Sequence, residues 1–91
     1  MGLKSTTTCL GYQQITSLSS STALTVPAGA TMALIVPETQ NVRWRDDGVA
    51  PTTTVGMPVL TNTSMSYDGD LKAIRFIAAT SGAILNVSYY A

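Results

Sequence analysis

The sequence contains no histidine and a single cysteine. Without histidine, the commonest general base, the Ser–His and Cys–His nucleophile pairs and the commonest zinc ligand are all missing. With Cys9 alone, no disulfide can form within the chain, and a lone thiol reads as a small, half-buried apolar residue. Charge is scarce as well. Charged residues make up 11% of the 91, against a usual value of about 25%, and five bases balance five acids. Nucleic-acid binding needs a basic excess, and none exists. Near-zero net charge also removes the repulsion that keeps small domains apart. The stretch Ala28 to Val36 is broken by Gly29 and Thr31 and bounded by Pro27 and Pro37, too short to cross a bilayer. No charged segment followed by an apolar run marks a secretory signal. A phosphate-cradling glycine loop and a Cys-x-x-Cys pair are also absent. These absences leave no expected cofactor, metal, nucleic-acid or membrane partner. Any enzyme reading is left with Asp, Lys or Tyr chemistry.

What the chain does have is strand chemistry. Hydrophobic residues are 45% of the total, β-branched residues recur throughout, and the long polar helix formers are few. No window carries apolar residues at helical spacing. Period-two alternation appears instead, cut by Gly, Pro and Asp. Extended segments are expected at Cys9–Leu18, Ala23–Val26, Thr31–Val36, Asn41–Arg45, around Val55–Val59, Thr63–Tyr67, Ala73–Ala78 and Ala83–Tyr90. The segment from Thr31, almost wholly apolar, is expected to be buried on both faces and to end its pairing at Pro37. The last segment alternates almost without interruption and is expected deep in a sheet. About seven or eight short strands, some ten residues apart, predict an all-β fold. Its form would be a compact antiparallel sandwich or barrel, jelly-roll-like, in one domain spanning residues 1–91. Residues 1–8 are a candidate flexible N-terminal arm. No Cys-Trp-Cys framework is present, which argues against a true immunoglobulin domain.

The most concentrated polar feature is Arg43-Trp44-Arg45-Asp46-Asp47-Gly48. In a strand the two guanidinium groups share a face, and the two carboxylates follow in a turn. One reading is an internal ion-pair cluster, with an aspartate accepting turn N–H groups. Another is a partner contact, because Arg and Trp are enriched among interface anchors. Acid–base work by Asp46 and Asp47 is disfavoured, since neighbours in sequence do not face each other across a cleft. Asp68-Gly69-Asp70 reads as a hairpin turn before it reads as half a calcium site. Trp44, Phe76, Tyr12, Tyr67, Tyr89 and Tyr90 could form a sugar-stacking platform, but alternating strand aromatics are more often core. Of the neighbours Tyr89 and Tyr90, only one can face inward; Tyr90 is a further contact candidate.

The chain resembles a group of small virion proteins of tailed bacteriophages. The resemblance rests on Leu24-Thr25-Val26-Pro27-Ala28-Gly29-Ala30, on Gln40 through Thr52 with Val55-Gly56-Met57, and on Ala73 through Ile77 and Leu85 through Tyr90. It implies a non-enzymatic structural part of a phage particle. With the weak charge and β-rich composition, it favours a capsid decoration (cement) protein. Such a protein would sit on the outer shell as a homo-oligomer and bind the major capsid protein or other virion proteins. Arg43, Trp44, Arg45, Asp46 and Asp47 are the expected contact, with Tyr90 second. The alternatives are a tail, baseplate or fibre-attachment component, or a carbohydrate-binding adhesion module.

Overall fold

The computed structural model describes residues 8–91 and, among them, contains strands and no helix. The strands are β1 (Cys9–Ile15), β2 (Thr22–Ala23), β3 (Met32–Glu38), β4 (Val42–Arg45), β5 (Met57–Val59), β6 (Met65–Tyr67), β7 (Arg75–Ala78) and β8 (Ile84–Tyr90). They form two four-stranded sheets, ordered β1-β8-β3-β6 and β2-β7-β4-β5, with every ladder antiparallel. The expected all-β antiparallel sandwich is the fold. Its pairing is regular: β1 with β8, β2 with β7, β3 with β6 and β4 with β5, as when one long hairpin is rolled over on itself. Two more ladders, β3·β8 and β4·β7, join the four pairs into the two sheets.

The sandwich follows from alternation. In β8, Leu85, Val87 and Tyr89 are buried while Ile84, Asn86, Ser88 and Tyr90 are half-exposed. Tyr89 thus points inward and Tyr90 outward, and β8 lies between β1 and β3. Ala33 and Ile35 of β3, and Val42 and Phe76 from the second sheet, meet these side chains in one apolar cluster. Fully burying a side chain of this size contributes roughly 1.5–3 kcal/mol, and a small domain depends on each.

Two expectations for the third strand are corrected. It is buried on one face only: Ala33, Ile35 and Pro37 are buried, while Met32, Leu34 and Val36 are half-buried on the outer surface. Pro37 does not end the pairing either, because it stands opposite Leu85 and β3 runs on to Glu38. The reason is directional. In an antiparallel strand a residue's N–H and C=O point to the same side. The Pro37 carbonyl accepts the Asn62 amide at 2.8 Å, ahead of the start of β6 at Met65. The missing N–H therefore faces a side where no strand needs it.

Other segments are shorter than expected. The first ends at Ile15, and of the second only Ala23 is in a strand, which begins one residue earlier at Thr22, although Leu18 and Leu24 beyond them are buried in the core. Asp68-Gly69-Asp70 is no hairpin turn, since it carries the chain from one sheet to the other. There Asp70 Oδ1 accepts the Lys72 amide at 3.0 Å, and the Asp70 carbonyl accepts those of Ala73 and Ile74. Of the candidate arm, residues 1–7 lie outside the described residues. Thr8 is paired, exchanging two backbone hydrogen bonds with Ala91 at 2.9 and 3.1 Å.

Candidate functional site at the β4–β5 corner

In β4 the side chains alternate as a strand requires. Val42 and Trp44 face the core, while Arg43 and Arg45 lie on the outer face of the second sheet. The two guanidinium groups then do different things. Arg43 holds the loop between β4 and β5 against that face: its Nε donates to the Thr53 carbonyl at 3.3 Å and its Nη1 to the Gly56 carbonyl at 2.9 Å. Gly56 packs so closely that a Cβ there would stand 3.1 Å from the Arg43 Cβ and from the Trp44 carbonyl oxygen. Ile77, opposite Arg43 on the same outer face, is only 7% exposed, as expected beneath this loop.

Arg45 pairs with Asp47 through two parallel hydrogen bonds, Nε to Oδ1 at 3.0 Å and Nη2 to Oδ2. Asp47 Oδ1 also accepts the Val49 amide at 3.4 Å. The hydrogen bonds from Arg45 are the main reason the Asp47 carboxyl is held below its ordinary value, and the same bonds raise Arg45. The pair offsets a like-charge contact, because Arg45 stands directly opposite Arg75 in the ladder. The ion-pair reading of the sequence therefore holds for Arg45 and Asp47, with Arg43 outside it.

Asp46 reaches across the open end of the sandwich. Its Oδ2 accepts the Tyr67 hydroxyl at 2.6 Å, joining β6 of one sheet to the end of β4 in the other. Burial, followed by this hydrogen bond, pushes the Tyr67 phenol up to about 12. The Tyr67 ring meets Trp44 edge-on, with centroids 5.8 Å apart and planes at 63°. Gly69 makes room for it, since a Cβ there would lie 2.5 Å from the Tyr67 hydroxyl.

Trp44, Arg45, Asp46 and Asp47 line a shallow cleft of about 380 Å³, closed on its other side by Val55, Gly56 and Met57. Val55 and Met57 are 52% and 57% exposed. Among the described residues six large apolar side chains are exposed, and Val55 and Met57 of this cleft are two of them. Sequence reasoning had the polar rim and missed the apolar wall. Val55-Gly56-Met57 read only as irregular extended chain, and nothing local in it tells that Arg43 draws it onto the sheet. Tyr67 and Gly69 were also missed as parts of the corner, because their partner Asp46 is 21 residues away.

Tyr90 does not join the corner. It lies on the outer face of the other sheet, opposite Cys9 and Met32, and its hydroxyl accepts the Ser88 Oγ at 3.1 Å. The six expected contact residues thus divide into five at the corner and one on the opposite sheet. Among the described residues, no three His, Cys, Asp or Glu side chains gather as a metal ion would require, and no helix is long and apolar enough to cross a membrane. Comparison with protein-family models, with curated proteins and with solved structures returned no match.

Proposed function

We propose that this chain is a non-enzymatic structural component of a tailed-phage particle, a decoration (cement) protein that binds major capsid subunits on the outer shell. The observation that carries the reading is the make-up of the β4–β5 corner. Its charged groups are already engaged, Asp47 by Arg45, Asp46 by Tyr67 and Arg43 by the loop carbonyls. What faces outward is apolar, Val55 and Met57 beside a partly buried Trp44. A satisfied polar rim around an apolar centre suits docking against a protein surface. The resemblance to small virion proteins supports the same reading, as does the rolled pairing of the strands, which we take for a jelly roll. A standard contact would bury about 800 Å² on each partner. Repetition over a shell would let modest contacts hold through avidity.

The test is to locate the protein in purified particles of the encoding phage by electron microscopy, beside particles carrying Val55→Ser and Met57→Ser. The expected result is density at regular positions on the head with the parent protein, lost with the double variant. Particles that lack the protein altogether, or that take up the variant equally well, would refute the proposal. Density on the tail would move the assignment to the tail, baseplate or fibre alternative. A second reading draws on the same cleft. An aromatic side chain with carboxylates at its rim can also accept a sugar, as in a carbohydrate-binding adhesion module. Specific binding on a glycan array, abolished by Trp44→Ala in a folded variant, would favour it.

A further inference from the structure

The two sheets leave four edge strands, and they are unequally protected. β2 has two residues, β5 and β6 have three each, and β5 has Pro58 at its centre. β1 has seven residues, Cys-Leu-Gly-Tyr-Gln-Gln-Ile, with no proline and no charge. Short strands, proline and charge are the usual means of blocking an edge, and β1 has none of them. Its one irregularity is a bulge between Cys9 and Gly11, at the start of the strand.

The register shows which backbone groups of β1 face outward. Ala91 exchanges hydrogen bonds with Thr8, so Tyr89, Val87 and Leu85, at alternate positions from Ala91, also turn their backbone groups toward β1. Their partners Gly11, Gln13 and Ile15 turn theirs toward β8. Tyr12 and Gln14, between them, present N–H and C=O to the open edge. Among the described residues no backbone hydrogen bond reaches these groups. The segment 25–27 approaches from the inner side, through the Gln13 side chain and Gly11. On the outer side, Tyr12 Oη and Gln14 Nε2 both donate to Asn86 Oδ1, at 2.6 and 3.1 Å, and Asn86 Nδ2 donates to Glu38 Oε1 at 2.9 Å. Both side chains are thereby tied back across the sheet and away from the edge.

We infer that two copies of this chain associate edge to edge through β1, antiparallel about a two-fold axis at Gln13. In that register Tyr12 of each copy faces Gln14 of the other. The outward groups form four backbone hydrogen bonds, and the two four-stranded sheets become one of eight strands. A second copy fits because a two-fold axis brings identical open edges together, which makes the contact self-complementary. Charge does not oppose it, since no charged residue occurs from Ser5 to Pro37. Tyr12, 64% exposed, and Leu10, 36% exposed, gain cover at the seam. This dimer does not depend on the virion reading, and it uses a surface remote from the β4–β5 corner.

The test is sedimentation equilibrium of the full chain over a concentration series, with amide hydrogen exchange at both ends. The parent is expected to reach twice the 9.5 kDa of one chain. With dimerisation the Tyr12 and Gln14 amides should gain protection, while those of Gln13 and Ile15 are protected at every concentration. Gln14→Pro deletes an outward N–H and spares the ladder to β8, a substitution edge strands tolerate. It removes two hydrogen bonds per dimer and should raise Kd roughly ten- to a hundredfold. Tyr12→Lys with Gln14→Lys leaves the backbone intact and should give a folded monomer whose association returns with added salt. This pair decides alone should the proline variant fail to fold. A parent chain that stays monomeric up to about 1 mM, or a folded variant of either kind that dimerises with the parent's Kd, overturns the inference.

Discussion

β1 and β5 are both edge strands, each paired on one side only, and they belong to opposite sheets. β5 is short, contains Pro58 and follows a loop held by Arg43, so its backbone offers little to a partner. Its side chains offer more, because Met57 stands in solvent beside Val55 and the Trp44 cleft. At β1 the order is reversed: Tyr12 and Gln14 are fastened to Asn86, and the backbone is open. The two edges therefore suit two kinds of association. One buries apolar side chains and is specific to the shape it meets. The other adds a ladder and needs only a matching strand.

The largest expected effect removes this comparison altogether. Leu85 lies in β8, which pairs with both β1 and β3, and it is fully buried. Leu85→Ala should cost about 2–5 kcal/mol in urea unfolding and loosen both edges together. Gly69→Ala should affect the corner alone. The new Cβ displaces the Tyr67 hydroxyl from Asp46, at a cost of about 1–3 kcal/mol, with a changed near-ultraviolet signal from Trp44 and unaltered exchange in β1.

Alkaline pH should weaken both regions in the same direction, and single variants separate their shares. Tyr67 at the corner and Tyr89 beside β1, whose hydroxyl donates to Gln13 Oε1 at 2.7 Å, are both pushed up to about 12 from 10.0, chiefly by burial. The unfolded chain ionises them first, so their contribution is complete below pH 10 and is lost as pH rises toward 12. Tyr67→Phe should flatten the corner's share of that loss, and Tyr89→Phe that of the β1 side. At acid pH the sign reverses for Asp47. Its carboxyl sits below the ordinary 3.8, so its contribution is present above that value and lost as pH falls through the folded one. Asp47→Asn should remove this acid dependence. The smallest effect on stability belongs to Met57→Ser, within about 0.5 kcal/mol of the parent, because the side chain is already in solvent.

Much of the fold was legible in the residues. Alternation in Ala83–Tyr90 marked the central strand and placed Tyr89 inside with Tyr90 outside. Val42 and Trp44 fell on one side of their strand and both arginines on the other. Less of the corner was legible. Arg43 and Arg45 are equivalent by spacing, yet one binds loop carbonyls 10 and 13 residues on and the other a carboxylate two residues on. Asp46 looked like a turn residue satisfied locally, and instead it takes the hydroxyl of Tyr67. Pro37 looked like a stop, because whether a strand lies on the side its absent N–H faces depends on where β6 begins.

Local chemistry thus settled the class of structure, the inward and outward faces of β4 and β8, and the lack of charge from Ser5 to Pro37. A period of two is a property of each segment alone, and so is its charge. Which strands lie side by side is a different kind of fact. Every residue but proline carries the same backbone donor and acceptor, so the ladder itself says nothing of its neighbour. Only when both sheets close on one core does β1 come to lie at an edge with two residues facing out, and only then does Arg43 find a loop to hold.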